Sequence, residues 1–162
     1  MTPLILFGAG GHAREVAQLV RDINQAQPGS WQLLGFMADP GAAPGNPMPL
    51  PAPWLGDSQQ ALAAHPGAHC IVAVGDSRAR RRIAAQLRQQ HPGLRFATLV
   101  HPRAWLAEGV HLGPGSVVFA GSVSEYQSFL FPANGEYKAA MTLWRVPKGG
   151  MATQFEGGST GA

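Results

Sequence analysis

Two patterns of hydrophobic residues alternate along the first hundred residues. Short runs such as Leu4–Phe7 are apolar throughout, as in strands that are buried on both faces of a sheet. Between them, apolar residues recur every three or four positions, which is typical of amphipathic helices. Strands that alternate with helices favour an α/β fold with a parallel sheet and right-handed connections. The pattern predicts strands at Leu4–Phe7, Trp31–Met37, Cys70–Val74 and Arg95–Val100, helices at Ala13–Ile23, Gln59–Ala64 and Arg78–Gln90, and an irregular Pro/Gly-rich loop at Pro40–Pro53.

A third hydrophobic pattern begins beyond residue 100. An aliphatic residue recurs every six positions, at Leu106, Leu112 and Val118, and a small residue or valine follows four places after each. This spacing is typical of the hexapeptide repeats of a parallel β-helix, in which three units make one triangular coil. The third unit is imperfect, because Phe119 stands where a small or acidic residue is usual. The pattern stops after Val123, so one incomplete coil is predicted over residues 101–123.

The composition changes where the repeats stop. Both lysines and both tyrosines lie beyond residue 124, whereas the earlier cationic side chains other than histidine are arginines. The last six residues contain glycine, serine, threonine and alanine alone, a composition typical of flexible termini. We therefore expect residues 124–162 to form an irregular, flexible tail foreign to the preceding fold, as a frameshift, insertion or truncation would leave.

The length and composition of the chain narrow the range of functions that it can have. A chain of 162 residues can hold one domain and part of a second. No apolar run approaches the ~20 residues of a membrane span, and the N-terminus lacks a signal-peptide pattern. The single cysteine, Cys70, excludes an internal disulfide and suits a cytosolic location. The arginines of Arg78–Arg82 indicate a solvated helix opening or a local phosphate contact, and without aromatic residues among them they do not predict nucleic-acid binding.

The loop after the first strand fits the pattern G-x-G-x-x-A between a strand and a helix. In this pattern Gly8 permits the tight turn, Gly10 and Gly11 let backbone amides approach a phosphate, and Ala13 lets the helix pack closely. The phosphate would then face the positive end of the helix dipole. His12 could cap the helix or meet the phosphate; no carboxylate that would orient it for catalysis is identified. The alternative is an ordinary strand-to-helix turn.

Further candidates follow the second and third strands. Asp39 stands where Rossmann proteins place the acid that binds a ribose hydroxyl, although it could equally form a turn with the following proline. Gly75, Asp76 and Arg78 come at the same edge, where ligands bind in open parallel sheets. Asp76 could accept from a sugar or base, or it could cap the next helix, as could Ser77. The histidines show no metal-ligand spacing, so no metal site is predicted.

Taken in order, these segments resemble the sugar O- and N-acyltransferases of the PglD/NeuD type. The resemblance covers about residues 3 to 123 and is specific, because two unrelated rhythms occur in the family's order. It implies a Rossmann-like N-terminal domain over residues 1–100 and the first coil of a left-handed β-helix over residues 101–123. The segments that carry it are Gly8–His12, Gly35–Asp39, Leu55–Asp57, Val72–Arg78, His101–Pro102 and Leu106–Val123.

The family implies a nucleotide-linked amino sugar as substrate, typically a UDP-sugar, and acetyl-CoA bound between the subunits of a trimer. The resemblance places four residues of the glycine loop, Gly8, Gly10, Gly11 and His12, against the phosphates of the nucleotide sugar. It places Asp39 near the base or ribose, and Gly75, Asp76 and Arg78 along the same pocket.

Two departures from the family stand out. Its catalytic base is a histidine followed by an acidic residue in a later coil, and here no histidine follows His111. Ala38 replaces an acidic residue that usually precedes Asp39. The sequence therefore predicts a UDP-sugar-binding domain without catalysis, with no cofactor of its own and with the trimer lost or weakened. The alternatives are an active acetyl-CoA-dependent acetyltransferase and an NAD(P)-dependent oxidoreductase.

Overall fold

The computed structural model describes residues 1–40 and 49–122, together with the backbone of residues 123–124, 142–145 and 153–156. The chain divides into two compact units, Met1–Ala97 and Thr98–Ala162. Among the helices of the described ranges, none combines the length and the apolar character that crossing a bilayer requires.

The first unit is built on five parallel strands: β1 (Thr2–Phe7), β2 (Trp31–Ala38), β3 (Trp54–Asp57), β4 (His69–Val72) and β5 (Arg95–Phe96). Their order in the sheet is β3-β2-β1-β4-β5, which matches the first five positions of the classic Rossmann order 3-2-1-4-5-6. β1 lies at the centre and pairs with β2 on one side and β4 on the other. Its apolar run explains this position, because Leu4, Ile5 and Leu6 are fully buried.

Three helices connect the strands: α1 (Gly11–Ala26), α2 (Ser58–Ala64) and α3 (Ser77–Gln90). Each lies within two residues of its predicted bounds, apart from the longer C-terminal end of α1. α1 buries one apolar stripe against the sheet, and each large side chain buried there contributes about 1.5–3 kcal/mol. The predicted α/β fold with a parallel sheet is confirmed. The buried stripe consists of Ala13, Val16, Ala17, Leu19, Val20 and Ile23.

β3 is a strand that the hydrophobic pattern did not predict. It pairs with β2, where the amide of Phe36 donates to the carbonyl oxygen of Pro53 over 2.9 Å. Gly35 permits this approach, because a methyl group there would collide with Pro53 and with the side chain of Leu55. The strand escapes detection because it is short and contains Gly56, whose φ is +87°.

The prediction of a single strand over Arg95–Val100 was wrong. The segment forms β5 and a separate strand, β6 (Leu99–Val100), which belongs to a different sheet. The amide of Ala97 donates to β4 over 3.0 Å, whereas the amide of Leu99 donates to Ser116 over 2.9 Å. The chain thus leaves the first sheet between Ala97 and Leu99. A segment that reads as one apolar strand in the sequence therefore forms hydrogen bonds in both units.

The second unit begins with short parallel strands. β6 pairs with β8 (Val117–Val118), and β7 (Trp105–Leu106) pairs with β9 (Val123–Ser124). In both pairs every residue lies opposite a residue 18 positions further along the chain. Two separate sheets therefore share one repeat length.

Turns between these strands recur at a fixed interval. Four backbone amides each donate to the carbonyl oxygen three residues earlier, and successive turns are six residues apart. Glycines with positive φ recur at the same interval, which relieves the strain that other residues would suffer in these turns. The donors are Ala104, Val110, Ser116 and Ser122, and the glycines are Gly109, Gly115 and Gly121.

The expected tail over residues 124–162 falls largely outside the described residues. Within it the structure has two antiparallel strands, β10 (Thr142–Arg145) and β11 (Thr153–Glu156). They extend the sheet of β7 in the order β11-β10-β9-β7. The predicted irregular loop at Pro40–Pro53 also falls largely outside the described residues, and its described part contains neither helix nor strand.

Candidate functional site at the carboxyl edge of the sheet

The carboxyl ends of three neighbouring strands meet in the first unit. The amide of Gly8 donates to Met37 of β2 over 2.8 Å, and the amide of Ala73 donates to Phe7 of β1 over the same distance. The loops that follow β1, β2 and β4 therefore leave the sheet side by side. Gly8 is required here, because its φ is +121° and a methyl group would lie 2.7 Å from the carbonyl oxygen of Ala73.

The N-terminus of α1 opens onto this edge without a side-chain cap. Gly10 is the N-cap in extended conformation, no side chain bonds the first amides, and the first turn holds no acidic residue. A Cβ atom placed on Gly10 or Gly11 would find no atom within 4 Å. The first amides of a helix lack intrahelical partners and carry its positive partial charge. This end of α1 can therefore accept an anion that approaches the glycine loop.

His12 lies on the first turn of α1 and is held by a carboxylate that sequence reasoning missed. Its Nδ1 is 3.1 Å from Oε2 of Glu15, whose side chain is well exposed. The expectation that no nearby carboxylate orients His12 was wrong. The signal was present in the sequence, because residues three apart on a helix share a face.

The turn between β4 and α3 approaches the same place. A Cβ atom on Gly75 would lie 4.0 Å from that of His12. The Oδ1 atom of Asp76 accepts from the amide of Ala79 over 2.7 Å, so Asp76 caps α3. Of the two roles considered for Asp76, capping is thus observed directly. Arg78 lies on the first turn of α3 with its side chain exposed.

Arg80 is a second residue that sequence reasoning did not single out. Its Nη1 donates to the carbonyl oxygens of Val74 and Gly75, over 2.8 Å in each case. The side chain thus bends back over the start of its own helix, as long side chains near a helix N-terminus can do. Arg80 was not singled out because it lies in an arginine-rich segment, and the sequence alone does not distinguish it from its exposed neighbours.

Asp39 follows the end of β2 and is exposed. Its carboxylate makes no hydrogen bond or ion pair within residues 1–40 and 49–122. The adjoining part of α1 is tied to the chain after β2, since Nη1 of Arg14 donates to the carbonyl oxygen of Pro49 over 2.6 Å. Asp39 lies at the edge where the glycine loop begins, since the amide of Gly8 donates to Met37 two residues before it.

Other reactive groups lie away from this edge. Cys70 is completely buried in β4, and burial raises the pKa of its thiol to about 12, which makes it an inert core residue. His101 is buried in the second unit, where its Nδ1 accepts from the amide of Arg103 over 2.9 Å. Among the described residues, no three histidine, cysteine or acidic side chains come together as a metal site would need.

The fold has solved relatives among sugar N-acetyltransferases. A mutant of perosamine N-acetyltransferase from Caulobacter crescentus, in complex with CoA and GDP-perosamine, superposes with a TM-score of 0.62 at 24% identity, covering 77% of this chain and 55% of that one. PerB from the same organism, bound to the same two ligands, gives 0.60 at 25% identity over 77% of this chain and 55% of that chain.

A third similar structure is the acetyltransferase domain of PglB from Neisseria gonorrhoeae in complex with acetyl coenzyme A. Its TM-score is 0.56 at 27% identity, over 75% of this chain and 54% of that chain. The present chain thus spans about half the length of the solved structures that it matches. No curated protein matches it significantly.

The sequence family described as the PglD N-terminal domain matches residues 3–87. This range contains β1 to β4, all three helices except the last residues of α3, and each loop of the carboxyl edge. The resemblance to acyltransferases of the PglD/NeuD type is confirmed. The chain belongs to the PglD N-terminal domain family.

Proposed function

We propose that the carboxyl edge of the first sheet binds the diphosphate of a nucleotide-linked amino sugar, with UDP as the nucleotide. One observation carries this proposal: α1 begins uncapped and unobstructed, whereas α2 and α3 are capped by Asp57 and Asp76. A diphosphate would accept from the first amides of α1 and lie at the positive end of its dipole. GDP-perosamine in the Caulobacter complexes supports a nucleotide sugar as the ligand class.

Each predicted site residue has a role in this proposal. Gly8 sets the direction of the loop, while Gly10 and Gly11 leave room for phosphate oxygens. His12 lies on the first turn of α1 where its ring can meet the diphosphate, and Glu15 fixes the orientation of that ring through Nδ1 at 3.1 Å. Arg78 adds a cation from α3, and its exposed side chain is free to turn toward a phosphate.

Asp39 is proposed to bind the ribose or the base. Its position at the end of β2 matches that of the acid that accepts from ribose hydroxyls in Rossmann folds. Gly75 lets the sugar-phosphate approach the β4–α3 turn, because no side chain protrudes there. Asp76 contributes its second carboxylate oxygen to the same pocket, since only Oδ1 is used by the helix cap.

The second unit is proposed to begin a left-handed β-helix. The turns spaced by six residues and the strand register of 18 residues support one coil of three hexapeptides, over residues 101–123. Acetyl-CoA is the co-substrate we infer, because the similar structures hold CoA or acetyl coenzyme A. One coil cannot bury a continuous solenoid core, so these 162 residues alone bind the nucleotide sugar without acetylating it or forming a stable trimer.

The binding proposal is tested by thermal unfolding and calorimetry of the 162-residue chain. UDP-glucosamine and UDP should raise Tm by a few degrees at about 100 times Kd, where ligand binding adds about 2.7 kcal/mol. GDP tests the choice of nucleotide, NAD tests an oxidoreductase, and acetyl-CoA tests an independent CoA site. A response to NAD but to neither nucleoside diphosphate would disprove the proposal.

The proposed lack of catalysis needs a separate assay. The chain is incubated with acetyl-CoA and a UDP-linked amino sugar, and released CoA is measured with a thiol reagent. Cys70 will not interfere, because it is buried and the pKa of its thiol is raised to about 12. Background release at the uncatalysed rate is expected. Turnover that depends on the sugar would show that these residues form an active acetyltransferase.

A further inference from the structure

The β4–α3 turn would repel an anion if its carbonyl oxygens faced the carboxyl edge. Carbonyl oxygens carry partial negative charge, and those of Val74 and Gly75 belong to consecutive residues of this turn, where Gly75 lies next to His12 of the glycine loop. Both are instead bonded by the guanidinium of Arg80 over 2.8 Å. A charged donor on two acceptors is among the stronger hydrogen-bonding arrangements in proteins.

The position of Arg80 is electrostatically adverse for its own helix. Cations near a helix N-terminus oppose the macrodipole, an effect that the N-cap carboxylate of Asp76 offsets only in part in α3. Arg80 recovers part of this cost through the two carbonyl bonds. Because a guanidinium stays charged throughout the physiological pH range, its effect on the turn does not titrate.

We propose that Arg80 is a positioning residue that makes the β4–α3 turn compatible with a bound diphosphate. This inference rests on the proposed function and deepens it, because it assigns discrimination by phosphate charge to a residue that need not touch the ligand. Arg80 holds the two carbonyl groups away from the anion and leaves a net positive charge behind the turn. Arg78 and the first amides of α1 then face the ligand while the carbonyl oxygens of Val74 and Gly75 are bonded to Arg80.

The experiment compares R80M with a matched control, R82M. Both variants remove one arginine from α3, and Arg82 is exposed and does not bond the turn. Kd values of the 162-residue chain are measured by calorimetry for uridine, UMP and UDP. R80M should weaken UDP binding about tenfold, because it removes a positive charge close behind the turn and leaves two carbonyl oxygens without their cationic donor, and it should weaken uridine binding far less. R82M should change UDP binding by less than about twofold.

A conservative replacement of Arg80 distinguishes a positioning role of this residue from a role in folding alone. A single nitrogen, Nη1, makes both carbonyl bonds, so the ammonium group of R80K should restore most of the UDP affinity lost in R80M. If R80M does not fold, R80Q carries the same comparison, because it removes the charge and keeps an amide donor. Thermal unfolding of every variant without ligand is measured in parallel.

The outcomes separate the two proposals. If the unmodified chain binds neither UDP nor GDP, the proposed function fails and this inference fails with it. If the unmodified chain binds UDP while R80M matches R82M, the inference alone is overturned. Equal losses for uridine, UMP and UDP in R80M would also overturn it, because a device for accepting phosphate charge must act in proportion to that charge.

Discussion

α1 and α3 begin at the same edge of the same sheet, yet their first turns are built in opposite ways. α3 is closed by its own sequence, since Asp76 caps its amides and Arg80 bonds the carbonyl oxygens just before it. α1 begins at Gly10 with no side-chain cap hydrogen bond and with open space where side chains of Gly10 and Gly11 would be. One helix end is satisfied internally, and the other is available.

The difference supports the proposal that the ligand binds at the end of α1. Replacing a good N-cap side chain typically destabilises a helix by about 1 kcal/mol, although glycine is among the better substitutes. Asp57 and Asp76 cap the other two helices, so an aspartate at the start of α1 could cap that helix in the same way. Leaving it open makes physical sense when a ligand supplies the missing acceptors.

The largest effect is expected from Gly8→Ala. The φ of +121° is unfavourable for alanine, and the new methyl group would lie 2.7 Å from the carbonyl oxygen of Ala73. We expect a loss of roughly 3 kcal/mol in the free energy of unfolding, measured by urea denaturation. Gly11→Ala is the control, because that site has open space and no positive φ. Equal stability of the two variants would contradict the packing described for the strand end.

A charge at the open end of α1 tests the comparison directly. Gly10→Asp fits the extended backbone of the N-cap and should stabilise the helix by a few tenths of a kcal/mol. Its carboxylate would repel a diphosphate nearby, so UDP affinity should fall by about a hundredfold. Gly10→Asn caps the helix without the charge and should lose much less. Calorimetry measures both, and unaltered UDP binding by Gly10→Asp would place the ligand elsewhere.

The contrast between the two helix ends was only partly readable from the sequence. The buried runs of β1 and β4 and the apolar stripe of α1 are local patterns, so their elements were predicted correctly. β3 depends on the close approach that Gly35 allows, and β5 and β6 are separated by hydrogen bonds to β4 and to Ser116. Such tertiary partners decide where a strand ends, and no local pattern encodes them.

The same limit applies to the site. The glycine loop was recognised because its spacing, between a strand and a helix, is typical of phosphate-binding loops. Glu15 and Arg80 were missed because the first required attention to helical spacing and the second acts on backbone atoms five and six residues earlier. Asp76 was identified as a candidate, but only geometry distinguishes its use as a cap from a ligand contact.

Removing the cap of α3 should have a moderate effect. Asp76→Ala leaves the amide of Ala79 without its 2.7 Å partner, so the free energy of unfolding should fall by about 1 kcal/mol. Asp76→Asn preserves the cap and should keep stability. The pair also tests the second role: weaker UDP-sugar binding by Asp76→Asn at unchanged stability would show that the carboxylate contacts the ligand. If Asp76→Ala is as stable as the unmodified chain, the two helix ends are not built differently.

The smallest expected effect is a pH dependence of the stability, which arises at the opposite edge of the sheet and needs no ligand. His69 begins β4, its buried Nδ1 has no hydrogen-bond partner among the described residues, and its ring meets that of Trp31 edge-on at 5.9 Å. Burial, and then the positive charge of Arg95, lower the pKa of His69 below 6.5. Folding therefore favours the neutral ring, and its contribution to stability is complete above pH 6.5.

Acidification should accordingly weaken the fold through His69. As pH falls from 6.5 through the lowered pKa of the folded state, the unfolded chain takes up the proton first and stability declines. His69→Phe keeps an aromatic ring against Trp31 and should flatten the decline between pH 7.5 and 5.5 in urea titrations at constant salt. Arg95→Gln should reduce it less, because burial is the larger cause. Were His69→Phe to show the full decline, the loss of stability on acidification would not arise from His69.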